Sequence, residues 1–171
     1  MKLRSGEGSE DSSPKTNFVA DGPYFLQITQ NLFLSNAFTV ENSSLLVAQK
    51  IRVIISLTSK PLNLVQENAF ERYNFILSDQ NSQNIEGLLN PVVETIDMKI
   101  REGKNVVIHC KKGISRAPTF VVAYLIKSCR MSVDDALAYL KRLSSRIEPN
   151  FNFLLQLEMW SREYNSFISQ N

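Results

Sequence analysis

Cysteine and long apolar runs are both scarce in this chain. Two cysteines among 171 residues do not form a disulfide scaffold. Residues 1–6 lack the apolar core of a secretion signal, so we expect a reducing compartment, the cytoplasm or the nucleus. No window approaches the roughly 18 apolar residues that span a bilayer, so we expect no membrane insertion.

A strong excess of charge of either sign is also absent. The net charge of +2 provides no general basic field for nucleic acid. With 43% hydrophobic and 21% charged residues, the composition is that of a soluble globular protein. The length suits one domain. We expect a disordered tail over residues 1–23, rich in Ser, Gly and charge near its start, and a folded domain over residues 24–171. The oligomeric state stays open.

Apolar runs and helical periodicity alternate along the domain. Strands are predicted over residues 24–28, 32–34, 52–57, 70–77 and 106–108. Helices are predicted over residues 40–50, from near Glu86 or Asn90 to Glu102, around 120–126, after Ser132, and after Pro149. Pro91 favours the later start of the second helix, and Phe153 to Phe167 supply an apolar stripe in the last one. The pattern predicts an α/β fold, with a central, mostly parallel sheet flanked by helices on both faces.

The most informative stretch follows the strand at 106–108. The apolar run stops at His109-Cys110, Gly113 marks a turn, and Pro118 suits the first turn of the next helix. Loop N–H groups and a helix N-terminus together attract an anion. In that field we expect Cys110 to be a thiolate nucleophile. Arg116, six residues later, can bind phosphate oxygens with two parallel N–H groups.

This pattern predicts a phosphoryl-transfer site. We expect the phosphate to be held by the loop residues Lys111, Lys112, Gly113, Ile114, Ser115 and Arg116. Here Cys110 and Arg116 match the Cys-x5-Arg signature of the cysteine-based protein tyrosine phosphatases. The Gly-Ile-Ser-Arg form most resembles the dual-specificity branch, of the small, atypical type. The resemblance covers residues from about 25 to 167.

The resemblance implies an α/β catalytic domain that needs neither metal nor other cofactor. It also implies a phosphorylated protein as the partner, with phosphotyrosine, phosphoserine and phosphothreonine hydrolysed through a phosphocysteine. The reaction needs an acid for the leaving group and then a base for water. Asp79 ends a predicted strand and opens the segment 79–84, which resembles the general-acid loop of the family. Glu86 is the alternative acid.

Two residues are expected to support the catalytic loop. His109, the only histidine, should orient the loop and help to keep Cys110 ionised rather than carry protons. Asn150 matches a Pro-Asn element that resembles a brace for this loop in the family. As a plain helix N-cap it would look the same in sequence, so both roles stay open.

Ala117 departs from the family pattern. A Ser or Thr usually follows the arginine, and its hydroxyl assists breakdown of the phosphocysteine. With Ala117 in this position, we expect slow hydrolysis of the intermediate. A weakly active phosphopeptide-binding module is therefore one alternative function. The adjacent pair Lys111 and Lys112 supports another, a phosphoinositide phosphatase, because a highly charged substrate would suit the two lysines.

Overall fold

The computed structural model describes residues 22–60 and 69–170. Most of the predicted N-terminal tail, and the stretch after Lys60, lie outside these residues. The described residues contain a five-stranded sheet with the order β1-β2-β5-β3-β4. Its strands are β1 Phe25–Gln27, β2 Leu32–Asn36, β3 Ile51–Thr58, β4 Glu71–Ile76 and β5 Asn105–Cys110. Only the edge pair β1–β2 is antiparallel, so the predicted mostly parallel sheet is confirmed.

Helices cover both faces of this sheet. They are α1 Ala37–Glu41, α2 Ser43–Ala48, α3 Glu86–Arg101, α4 Arg116–Cys129, α5 Val133–Leu143 and α6 Phe151–Ser169. The side chains alternate along the strands, so that Val106 and Ile108 pack in the larger core with α3 to α6. Val107 packs in the smaller core with Val40 of α1 and Leu46 of α2. The sheet is therefore buried on both sides, as its nearly continuous apolar strands predict.

Three details differ from the sequence-based expectations. The helix predicted over 40–50 is two short helices, because Asn36 caps α1 early and Asn42 leaves the helical conformation between them. Helix α3 begins at Glu86, the earlier of its two expected starts, and continues through Pro91, which had favoured the later one. Burial of one face of α3 against the core stabilises this helix by more than it loses through the backbone hydrogen bond that Pro91 cannot donate. Phe167 is 68% exposed, so it does not belong to the buried stripe of α6.

Strand β5 places the predicted loop at the centre of the sheet. It lies between β2 and β3, and its last residue, Cys110, is in register with Asn36. Helix α4 follows within six residues, and every residue from Arg116 to Ile126 is buried. The loop between them is thus held by a central strand and an enclosed helix. No helix in the described part of the chain is long and apolar enough to cross a membrane.

Candidate active site

Cys110 lies at the base of a cleft at the carboxyl edge of the sheet. The cleft has a volume of about 790 Å³, and Arg116 and Asp79 line it together with the loop. The Cys110 side chain is 2% exposed, whereas Lys111 and Lys112 are exposed at the rim. Ligands of open α/β sheets bind at this edge. The structure therefore brings the predicted nucleophile, arginine and acid into one cavity.

The loop after Cys110 is anchored through its backbone carbonyls. The Lys111 carbonyl accepts a hydrogen bond from the N–H of Ala37 at 3.2 Å, and the Ile114 carbonyl accepts one from the N–H of Glu148 at 2.9 Å. Thr119 donates to the Ser115 carbonyl through both its N–H and its hydroxyl. With these carbonyls bound from outside, the loop keeps one conformation.

Gly113 gives this loop its turn. Its φ of +70° is a left-handed conformation that favours glycine. A Cβ atom at this position would lie 2.7 Å from Cδ1 of Tyr24 and 3.0 Å from the carbonyl oxygen of Ser35. The guanidinium carbon of Arg146 lies 4.6 Å from the centre of the same Tyr24 ring. The close approach leaves no room for a side chain at residue 113.

Arg116 is buried, and its Nε is an uncommitted donor. One terminal nitrogen donates to the Leu77 carbonyl at 3.0 Å, which fixes the plane of the guanidinium. Its Nε lies 4.0 Å from Oδ2 of Asp79 and makes no hydrogen bond within the described residues. A buried donor without a partner is costly, and a phosphate oxygen in the cleft would satisfy it.

Asp79 is held against the loop by two neutral donors. Its Oδ1 accepts from the hydroxyl of Ser115 at 2.7 Å and from Nδ2 of Asn150 at 3.1 Å. The Asp79 side chain is 38% exposed, so it is open to solvent and to a substrate. Glu86, the alternative acid, begins α3 and does not line the cleft.

Asn150 combines the two roles that its sequence context left open. It is the N-cap of α6, because its Oδ1 accepts from the N–H of Phe153 at 2.9 Å. Its own backbone N–H donates to the Ser115 hydroxyl at 3.1 Å, and its Nδ2 donates to Asp79. One residue thus begins α6, braces the loop through its backbone N–H and contacts the acid through its side chain.

His109 is completely buried beneath the loop. Its Nε2 lies 2.8 Å from the hydroxyl of Ser56, the residue in register with it on β3. Burial lowers the pKa of His109 to about 4, a backbone hydrogen bond with Cys110 opposes that change, and the charge of Arg116 adds to it. The imidazole is therefore neutral at neutral pH. Of the two roles expected for His109, this geometry supports the orienting one.

Ala117 lies in the second position of α4. It is fully buried and belongs to the larger core, directly after Arg116. The methyl group offers nothing to the sulfur of Cys110 or to a water molecule. Among residues 22–60 and 69–170 there is also no group of three His, Cys, Asp or Glu side chains that could hold a metal ion.

Several residues of the site were missed by sequence reasoning. They are Tyr24 behind Gly113, Ser56 beside His109, and the polar side chains that hold the acid loop, namely Gln83, Asn152 and Gln156. Ser56 gave a usable signal, since it interrupts an apolar run in a strand expected to be buried. Tyr24, Asn152 and Gln156 gave none, because their partners are distant in sequence. Gln83 also binds Ser78, five residues away, but a glutamine in a polar loop is not distinctive.

Comparison with known proteins yields a consistent set of relatives. A family model described as the catalytic domain of dual specificity phosphatases matches residues 32–163. The human protein named dual specificity protein phosphatase 9 is 37% identical over 133 residues, which are 77% of this chain and 35% of that protein. Human dual specificity protein phosphatase 7 is 33% identical over 157 residues, 91% of this chain and 37% of that protein. The chain thus spans about a third of the length of these relatives.

A solved structure shares the architecture. The crystal structure of the human tyrosine phosphatase-like serine/threonine/tyrosine-interacting protein superimposes with a TM-score of 0.77. The two sequences are 27% identical, and the match covers 82% of this chain and 97% of that one.

Proposed function

Since the chain belongs to the family of dual specificity phosphatase catalytic domains, we propose that it is a cysteine-based protein phosphatase. It hydrolyses phosphotyrosine and phosphoserine or phosphothreonine in a phosphorylated protein through a phosphocysteine intermediate. The observation that carries this proposal is the convergence of Cys110, Arg116 and Asp79 in one cleft. Each comes from a different part of the fold, namely the end of β5, the start of α4 and the loop after β4.

The first step is transfer of the phosphoryl group to Cys110. The thiolate attacks phosphorus, so that an S–P bond forms while the P–O bond to the substrate breaks. Arg116 and the N–H groups of the loop residues 111–116 bind the three equatorial oxygens. Asp79, in its protonated form, gives its proton to the departing oxygen, which leaves as a neutral alcohol or phenol.

The second step releases phosphate. Asp79, now a carboxylate, takes a proton from a water molecule while the water oxygen attacks phosphorus. The S–P bond breaks and the thiolate of Cys110 is restored. In the family, a hydroxyl at this position assists the sulfur as leaving group. Because Ala117 lacks it, we expect this second step to limit the rate.

The catalytic unit is residues 24–171, and all the strands and helices of the described residues fall within it. We place the protein in the cytoplasm or the nucleus. Cys110 and Cys129 are both free thiols. Hydrolysis through Cys110 needs a reduced sulfur, which a reducing compartment maintains.

A rapid-mixing assay with an activated aryl phosphate and no added metal tests this function. We expect a burst of phenol equal to the enzyme concentration, followed by slow turnover, because phosphocysteine forms faster than it breaks down. The Cys110→Ser variant should lose both phases and still bind tungstate in the cleft. Full activity of that variant would exclude Cys110 as nucleophile.

Parallel assays with a phosphopeptide and a phosphoinositide, read beside the aryl phosphate burst, separate the alternatives. Binding of a phosphopeptide without any product would indicate the non-enzymatic binding module. Faster phosphate release from a phosphoinositide than from phosphopeptides would indicate the lipid phosphatase that Lys111 and Lys112 suggest. A fast linear rate without a burst would mean that hydrolysis of the intermediate is not limiting.

A further inference from the structure

The side chain of Gln83 forms hydrogen bonds to both ends of the loop that carries Asp79. Oε1 of Gln83 accepts hydrogen bonds from both the backbone N–H and the hydroxyl of Ser78, at 3.3 and 2.9 Å. Its backbone N–H donates to the Gln80 carbonyl at 3.0 Å, and its Nε2 donates to the Asn84 carbonyl at 2.9 Å. The Gln83 side chain therefore spans the loop and binds the residue directly before Asp79.

Helix α6 binds this loop from the other side. Nδ2 of Asn152 and Nε2 of Gln156 both donate to the Gln83 carbonyl, at 3.1 and 3.0 Å. Oε1 of Gln156 accepts from the N–H of Ile85 at 2.7 Å, and Ile85 is fully buried at the start of α3. Asn152 and Gln156 are four residues apart and so share one face of α6. The loop is thus bound at its start, its middle and its end.

This arrangement matters because a general acid works only within hydrogen-bond reach of the leaving oxygen. Asp79 itself contacts the catalytic loop through Ser115 and Asn150. Gln83 contacts neither Asp79 nor the lining of the cleft in the bonds described above. Any effect of Gln83 on catalysis therefore passes through the position of the loop.

We propose that Gln83, bound by Asn152 and Gln156 of α6, is a positioning residue that holds Asp79 over the phosphate-binding loop before substrate binds. This inference rests on the proposed function for the role of Asp79 as the acid. It predicts that the acid does not need to be brought in by substrate. Loss of the Gln83 bonds should leave Cys110 and Arg116 intact and should impair only the proton transfers that Asp79 carries out, the first of which is protonation of the leaving group.

The first test compares leaving groups in Gln83→Ala. We expect kcat for an alkyl phosphate to fall by about tenfold or more, because misplacement by about 1 Å is costly for a positioned group. The burst rate with an activated aryl phosphate should change less than about threefold, since that leaving group needs little protonation. Gln80→Ala is the matched control, because Gln80 is exposed and only its carbonyl takes part in the loop. Equal losses on both substrates would overturn the proposal.

A double-mutant cycle asks whether Gln83 acts through Asp79. In an Asp79→Asn background, Gln83→Ala should cause almost no further loss on the alkyl phosphate, because the group it positions is already disabled. A multiplicative loss in the double variant would mean that Gln83 supports the fold or the phosphate loop instead. Gln156→Ala, which removes the helix side of the same support, should behave like Gln83→Ala.

Hydrogen exchange provides a readout that needs no activity. The N–H of Ser78 should exchange at least about tenfold faster in Gln83→Ala than in Gln80→Ala, and the N–H of Ile85 should do so in Gln156→Ala. Unchanged exchange at both amides would contradict the proposed support. If exchange responds while wild type forms no phosphocysteine, the positioning stands and the proposed reaction fails. If the burst is present and exchange does not respond, the reaction stands and the positioning fails.

Discussion

The charge that each residue carries in the site depends on its surroundings. His109 is buried beside Ser56 and is held neutral, whereas the adjacent Cys110 faces the cleft and the buried Arg116. Because His109 is neutral, Arg116 and the loop N–H groups supply the positive potential at the base of the cleft. The neighbours of a side chain, more than its type, therefore decide its part in the reaction.

The depressed pKa of His109 predicts a dependence of stability on pH. The folded pKa is about 4 and the ordinary value is 6.5, so the unfolded chain binds the extra proton between these values. The free energy of unfolding should therefore be highest above pH 6.5 and fall as the pH decreases, by about 3 kcal/mol in total at pH 4. Urea unfolding at several pH values between 5 and 7 measures the slope. In His109→Asn the slope in this range should largely disappear, and an unchanged slope would show that other groups cause it.

Ala117 allows the second chemical step to be tested by adding one oxygen atom. Ala117→Ser should raise the steady-state rate by on the order of tenfold and reduce the burst, because the hydroxyl can assist the sulfur of Cys110 as it leaves. Stopped-flow and steady-state assays on one aryl phosphate measure both phases. Ala123→Ser is the control, since Ala123 is also fully buried on α4. The Ala123→Ser variant should be less stable by about 1 kcal/mol and should keep the wild-type rate. If Ala117→Ser also kept the wild-type rate, another group would already compensate for the missing hydroxyl.

At the scale of elements, the site is built from connections rather than from strands and helices. The loop between β5 and α4 binds phosphate, the loop between β4 and α3 carries Asp79, and the start of α6 joins the two through Asn150. Strand β5 and helix α4 hold the phosphate loop in place because nearly all of β5 and every residue of α4 from Arg116 to Ile126 are buried. A substitution in one of these loops should therefore reduce activity even where the substituted side chain is exposed to solvent.

Alanine substitutions at three glycines separate the effects of backbone conformation, close contact and helix propensity. Gly113 has a φ of +70° and close neighbours, Gly103 has a φ of +75° and open space, and Gly87 has open space in α3. Gly103→Ala should cost about 1 kcal/mol of stability from the backbone alone, with normal activity. Gly113→Ala should add the contact with Tyr24, cost about 2–3 kcal/mol and reduce kcat/KM by at least about tenfold.

The third glycine serves as the control for helix propensity. Gly87→Ala should stabilise the protein by about 0.5 kcal/mol and leave the rate unchanged. Urea unfolding and kcat/KM with an aryl phosphate measure all three variants. If Gly113→Ala behaved like Gly103→Ala in both assays, the contact with Tyr24 would have no part in shaping the loop.

Secondary structure and the phosphate loop could largely be predicted, but the ends of several elements could not. The strand that ends at Cys110 and the buried helix after Arg116 agree with their apolar patterns. Asn42 interrupts a helix that was predicted to be continuous, and Pro91 lies inside α3, which begins at the earlier of its two expected starts. Both differences arise from local capping and tertiary packing, which compete with propensity at the ends of elements.

For the molecule as a whole, the net charge is small, but positively charged side chains cluster at the mouth of the cleft. The chain carries a formal charge of only +2, and Lys111, Lys112 and Lys141 line the cleft, where they outnumber the carboxylates of Asp79 and Glu148. All three lysines are exposed. A dianionic phosphate approaching this edge therefore meets a local positive field that the composition does not reveal.

This field predicts a salt-dependent rate. kcat/KM for a phosphopeptide should fall as ionic strength rises from 0.02 to 0.3 M, a range chosen because the screening length shortens to below about 10 Å within it. Lys111→Gln with Lys112→Gln should lower kcat/KM by roughly threefold to tenfold at low salt and flatten the salt dependence. Lys50→Gln is the control, because Lys50 precedes β3 at the opposite edge of the sheet. An equal effect of the control would assign the salt dependence to net charge.

The sequence by itself determined the local chemistry: a strand, a loop with Cys110 and Arg116 at a set spacing, and a helix that follows at once. These features depend on residues that are close in the chain, where periodicity and spacing are informative. Only the tertiary structure decided that Asn150 meets Asp79 and Ser115, that Ser56 meets His109, and that the acid loop is held by amides of α6. Their physical basis is packing between elements that are 35 to 73 residues apart. A sequence pattern specifies what a segment can do, and the sheet and helices decide which segments meet.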